Sequence, residues 1–323
     1  MTLEPHQVCY LFYCSILKAT DIQYLQKYIM SNFLVNGLAF EGNDFSTFST
    51  SQFLLVTDHL ASPADFLVHR ALALSLKRSS VPGSSNSRVL LVSFANDFSH
   101  WSAIASKSNI NIRQHLKNGS FSYVDGLSVS GYNHGVQVER IEECGPVDPI
   151  FSSKTGRETI SLKLIYEAIV QSLRNSPPSL EDIAQTSNTK GELIIDDITI
   201  LEYIGVPPIE ISRFLRALRA LCNHHSMSLL VRAHASPLLI SSDSSPFDSK
   251  LLKNLLETCH VHLEVRPLTS GRSGAISGEI TVHRGGFSGD VHAKGTGRKA
   301  AIHYRLTEGS ATFFQKGMSA GVL

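Results

Sequence analysis

Asp58, Ser62, Pro63, Ala64 and Asp65 stand where a strand–loop–helix turn would grip phosphate, and their types forbid it. The stretch Gln-Phe-Leu-Leu-Val-Thr-Asp-His-Leu-Ala-Ser-Pro-Ala-Asp-Phe-Leu at 52–67 reads as an apolar strand over 53–56, a short turn, and an amphipathic helix over 63–77. A phosphate loop of the form G-x-x-x-x-G-K-[ST] closes backbone N–H groups round the oxygens and neutralises them with its lysine. Here the last three positions hold Pro63, Ala64 and Asp65. Proline removes a donor, alanine carries no charge, and aspartate carries the wrong one. The same residues suit a closed helix start, with Ser62 as N-cap, Pro63 at the first helical position and Asp65 at the third. Such a cap is worth about 1 kcal/mol. A phosphate oxygen about 5 Å from Asp65 would meet repulsion on the order of 3 kcal/mol per unit charge at an effective dielectric of about 20. The helix end that would attract an anion is expected to be plugged by its own chain.

Two further strand ends carry polar groups. Glu-Leu-Ile-Ile-Asp-Asp-Ile at 192–198 runs an apolar strand into Asp196 and Asp197, the pattern that holds a metal-bound water beside a nucleotide. Its structural alternative has the two carboxylates capping the next segment or bonding across to a neighbouring strand. Leu-Leu-Val-Arg-Ala-His at 229–234 places His234 at a third strand tip. It reads either as a phosphate sensor or as a satisfied surface histidine, and the second is preferred. Residues 235–249 contain no Lys or Arg, and Arg232 and Lys250 only flank them. Cys259, His260, His262 and His283 sit on alternating strands, where they are read as surface residues rather than zinc ligands. No nucleophile elbow or dinucleotide fingerprint follows a strand. No catalytic residue, cofactor or metal is therefore assigned.

Positive charge gathers in two places. On a helix expected over 208–225, Arg213, Arg216 and Arg219 fall within an arc of about 120°. That stripe suits an acidic neighbouring subunit or a neighbour's nucleotide, and equally a solvated basic face. From Cys259 to Leu323 there are eight Lys/Arg against four acids. Arg272, Arg284, Lys294, Arg298 and Lys299 lie among glycines there. Basic loops of this kind neutralise nucleic-acid phosphates without reading sequence, although many only solubilise.

These residues need a frame, and the apolar runs supply one. Buried strands are expected at 53–56, 89–94, 193–195 and 229–231, with helices at 63–77, 100–107, 158–174 and 208–225. That alternation implies a mainly parallel sheet covered on both faces. On the 208–225 helix, Ile211, Phe214, Leu215, Leu218, Leu221 and Cys222 make one apolar face. Stretches 260–267 and 279–284 alternate and imply antiparallel edge strands towards the C-terminus. Loop excursions are expected at 129–157 and 175–191, with a shorter linker at 79–87. The division is an N-terminal helical extension at 1–45 of unassigned role, a main domain at 46–310 and a tail at 311–323.

With 323 residues and 42% hydrophobic content the chain can bury a substantial core. A formal charge of +1 argues against bulk polyelectrolyte binding. Five scattered cysteines imply a reduced, intracellular protein. The apolar run at 8–17 is too short for a bilayer span, and no membrane is expected as a partner.

The three polar strand ends, in this order and spacing, resemble a RecA-like domain of the P-loop NTPase type without its functional phosphate loop. More specifically, Phe-Leu-Leu-Val-Thr-Asp-His-Leu-Ala-Ser-Pro-Ala-Asp-Phe-Leu at 53–67 resembles the signature stretch of subunit 6 of the Elongator complex. So does Val-Leu-Leu-Val-Ser-Phe-Ala-Asn-Asp-Phe-Ser-His-Trp at 89–101, and Tyr-Val-Asp-Gly at 123–126 with Leu-Ile-Ile-Asp-Asp at 193–197 continue the match, which spans about 46–308. The resemblance implies a RecA-like α/β fold with degenerate Walker motifs. It implies a hetero-hexameric ring with subunits 4 and 5, two copies of each, within the Elongator assembly. It further implies tRNA binding by the ring, support of wobble-uridine modification, ATP hydrolysis only in the assembled ring, and a cytoplasmic and nuclear setting. Two other readings stay open: a free-standing RecA-like NTPase using Asp196 or Asp197, and a RecA-like scaffold for DNA repair.

Overall fold

The computed structural model describes residues 52–79, 88–129, 161–174, 191–235, 250–271, 273–287, 301–307 and 311–315. The extension at 1–45, nearly all of both loop excursions and of the 79–87 linker, and residues 236–249 lie outside them. Nine strands form one sheet: β1 Phe53–Asp58, β2 Val89–Ser93, β3 Phe121–Asp125, β4 Gly191–Asp196, β5 Met227–His234, β6 Val261–Arg266, β7 Gly278–Arg284, β8 Ile302–Leu306 and β9 Ala311–Gln315. Their order is β3-β2-β4-β5-β1-β6-β7-β8-β9. The first six strands pair in parallel and the last three are antiparallel.

Burial on both faces explains the unbroken apolar runs: all six residues of β1 and all five of β2 are buried. Helices α1 Asp65–Ser79, α2 Phe98–Lys107 and α3 Ile112–Lys117 cover one face. Its core joins Leu54, Val56, Leu67, Leu72, Leu91, Trp101 and Ile194. Helices α4 Gly126–Val129, α5 Leu162–Arg174, α6 Thr199–Tyr203, α7 Pro208–His224 and α8 Lys250–Thr258 lie on the other, round Leu55, Val92, Ile165, Leu193, Leu215 and Leu218. The apolar face read for α7 is the one that is buried.

Three expectations change. The stretch at 260–267 was placed in the antiparallel edge, but β6 pairs in parallel with β1 and turns the sheet antiparallel only on its far side, at β7. Residues 311–315, expected as tail, form β9 and add to the sheet. Here Phe313 packs in a group with Phe66 of α1, which stacks on Tyr304 at 4.7 Å. Finally, α1 begins at Asp65 rather than Pro63.

A RecA-like site filled by its own side chains

β1 lies at the centre of the sheet beside β5, and β5 separates it from β4. The C-terminal tips of these three parallel strands meet where an open α/β sheet binds its ligand. The sequence reading left Arg232 at the margin, yet it stands in the middle of this site, 3% exposed, paired in register with Val56. Its Nε donates to Asp58 Oδ2 at 3.0 Å, and its Nη1 donates to Asp196 Oδ1 at 2.9 Å and to Asp65. One planar guanidinium therefore ties β1, β4 and α1 to β5, a use of its fork that lysine could not match.

His234 makes a second tie. Its Nδ1 meets Asp58 Oδ1, and its Nε2 lies 3.0 Å from Asp197 Oδ2. Those two carboxylates raise its pKa from 6.5 to about 10, overcoming burial, so the ring is an imidazolium at neutral pH. Its expected place as a surface histidine is thus corrected: the side chain is 15% exposed and bridges two strand ends. Burial alone would raise the pKa of Asp197, but the hydrogen bonds and charge of His234, with the Thr199 hydroxyl, hold it below the usual carboxylate range. Asp196 goes the other way, its pKa raised because burial outweighs the pull of Arg232. It also accepts from Ser93 Oγ at 3.1 Å and Asn96 Nδ2 at 3.2 Å. Burial would weaken the proton on Arg232, but the surrounding carboxylates hold it more firmly than usual.

The helix start is plugged, though not by the expected cap. Ser62 spends its backbone N–H on the His59 carbonyl at 2.8 Å, closing the turn. Asp58 Oδ2 takes the Ala64 N–H at 2.6 Å, and Asp65 turns to Arg232. Pro63 is exposed, while Ala64 is fully buried. Four carboxylates face two cations, so the pocket is negative where a triphosphate needs positive charge and free N–H groups. Asp196 and Asp197 follow their structural reading, bonding across strands. Asp197 adopts a left-handed backbone, φ 54°, with its carboxylate on Thr199. An arginine inside an apolar strand, with acids ending two other strands, was the legible signal for this network.

The other named residues disperse. Arg213 pairs with Glu210 at 2.6 Å on the surface, and Arg216 is exposed with Nε on the Ser212 carbonyl at 3.3 Å. Arg219 leaves the stripe: it lies 3.8 Å over the Phe287 ring and donates to the Thr258 carbonyl at 3.0 Å. Arg284 ends β7, with only its backbone described, and Arg272, Lys294, Arg298 and Lys299 fall outside the described residues. The β6–β7 histidines are not the surface residues expected. His262 is 7% exposed, bonded to Thr57 Oγ1 at 2.7 Å, and stacked on His283, which meets Glu264 at 3.0 Å. Cys259 is buried in the core under α8.

Sheet order and strand-tip placement define a RecA-like protein whose nucleotide position is occupied by its own arginine, histidine and aspartates. The chain belongs to the Elongation complex protein 6 family, whose profile matches residues 39–308. Relatives named Elongator complex protein 6 include that of Xenopus tropicalis, 26% identical over 90% of this chain and 98% of its own. The Homo sapiens protein is 24% identical over 80% of this chain and 88% of its own. Among solved structures, an uncharacterized protein from Pyrococcus horikoshii in complex with an unknown peptide superposes with a TM-score of 0.53. It is 13% identical and covers 85% of this chain and 96% of its own, a likeness of fold alone.

Proposed function

We propose that this chain is a non-catalytic subunit of Elongator that assembles with subunits 4 and 5 into a hetero-hexameric ring. The ring binds tRNA and supports modification of its wobble uridine, in the cytoplasm and with a nuclear fraction. ATP hydrolysis, where the ring performs it, belongs to the assembly. The observation that carries this reading is the Arg232 network: bridging groups that a nucleotide would supply are here built into the chain. A subunit so tied needs no ligand to fix its strand tips, which suits a constant structural part. Arg213 and Arg216, both exposed, are the candidate contacts to a neighbouring subunit. Arg284 and the basic residues at 272, 294, 298 and 299 are the candidate tRNA contacts.

The test is co-expression with subunits 4 and 5 and mass measurement of the purified product. A hexamer mass is expected, and it should be lost when Arg213 and Arg216 are both changed to Glu. The purified chain should show no thermal shift with Mg-ATP, since only a ligand that binds the folded state raises its melting temperature. A clear shift would favour a free-standing NTPase, and failure to co-purify would remove the ring.

A further inference from the structure

Phe287 is 56% exposed, yet its backbone is held as firmly as a core residue. The turn after β7 lies across the end of α8. Gly285 N–H donates to the His260 carbonyl at 2.9 Å, Gly286 N–H to Leu256 at 3.0 Å, and Phe287 N–H to Cys259 at 3.3 Å. A Cβ on Gly285 would sit 2.0 Å from the Cys259 carbonyl oxygen, and one on Gly286 would sit 2.8 Å from that of Glu257. Two glycines are thus required for the turn to press this close. Beneath the ring lies the Arg219 guanidinium at 3.8 Å, with His260 edge-on at 5.0 Å. The fixed turn, the cation below and the exposed aromatic surface together form a platform.

We propose that Phe287 is a stacking platform for an unpaired base of RNA. Every base has a π-face, and an aromatic ring already backed by a guanidinium offers a matching one. Charge favours a polyanion over an apolar protein surface. Arg219 underlies the ring, Arg284 precedes it in the chain, and residues 259–323 carry eight basic groups against four acidic ones. Glu257, on the adjoining turn of α8, is the opposing charge nearby. The inference rests on the tRNA reading above and names the contact that composition alone could not.

The experiment uses the ring assembled with subunits 4 and 5 and measures tRNA binding by fluorescence anisotropy at several salt concentrations. Phe287→Ala is expected to weaken binding by about 5- to 150-fold, the range for one stacked base. The slope against salt should stay unchanged, because no phosphate contact is lost. Phe287→Trp should bind as well as the parent. Phe287→Leu, which keeps an apolar group over Arg219, should weaken binding while leaving the melting temperature near that of the parent. A Phe287→Ala or Phe287→Leu ring that binds tRNA like the parent overturns the platform and leaves the proposed function standing. A parent ring that binds no tRNA overturns both. Unchanged RNA binding with loss of other Elongator subunits from the complex assigns the ring to a protein contact and also overturns it.

Discussion

Arg232 decides the chemistry of the site, and its removal is expected to cost more than its hydrogen bonds suggest. Arg232→Met leaves Asp58 and Asp196 buried without their cation, a change worth about 3–5 kcal/mol. Urea unfolding should report it as a lower midpoint; a variant within about 1 kcal/mol of the parent would show that the network is not held together by this residue. Histidines give the network a pH signature. The folded pKa of His234 stands above its ordinary 6.5, at about 10. Its stabilisation is therefore complete below pH 6.5 and fades as pH rises towards 10. His262 has the opposite sign: burial first, then its stacked neighbour His283, lower it from 6.5 to about 4. Its contribution is complete above pH 6.5 and fades as pH falls towards 4. Melting curves of parent and His234→Gln across pH should converge near pH 10 and separate at pH 6; constant separation would dismiss the His234 ties.

At the scale of elements, close approach explains what residue type alone does not. Gly285→Ala forces its Cβ onto the Cys259 carbonyl and should lower the melting temperature more than Gly286→Ala, whose nearest atom lies 2.8 Å away. Equal melting temperatures for the two would mean the turn yields freely. Long periodic elements could be read in advance: α7 announced itself by six apolar positions on one face, and β1, β2, β4 and β5 by apolar runs too short for helices. Short or mixed ones could not. β3 has only Phe121 and Val124 buried in its five residues, α3 is six residues long, and β9 owes its place to pairing with β8 and to Phe66. Parallel pairing of β6 was hidden because a strand bordered by β1 and β7 alternates like an edge strand while serving as the hinge between two sheet types.

For the whole molecule, the closed phosphate site was legible in Pro63, Ala64 and Asp65, but the agent closing it was not. Local capping accounts for a helix start within a few residues, whereas the Arg232 contact spans 174 positions to Asp58. Distance along the chain, not weakness of the interaction, kept that pair out of view. Such closure also makes the loss of nucleotide chemistry a one-way ratchet. Lysine at position 64 would push an ammonium into a fully buried alanine site whose N–H already serves Asp58. Removing Arg232 first would strand the aspartates, and removing the aspartates first would strand Arg232. Every single-residue path back towards a phosphate loop passes through a less stable chain, so the ancestral activity is guarded against by the stability of its replacement.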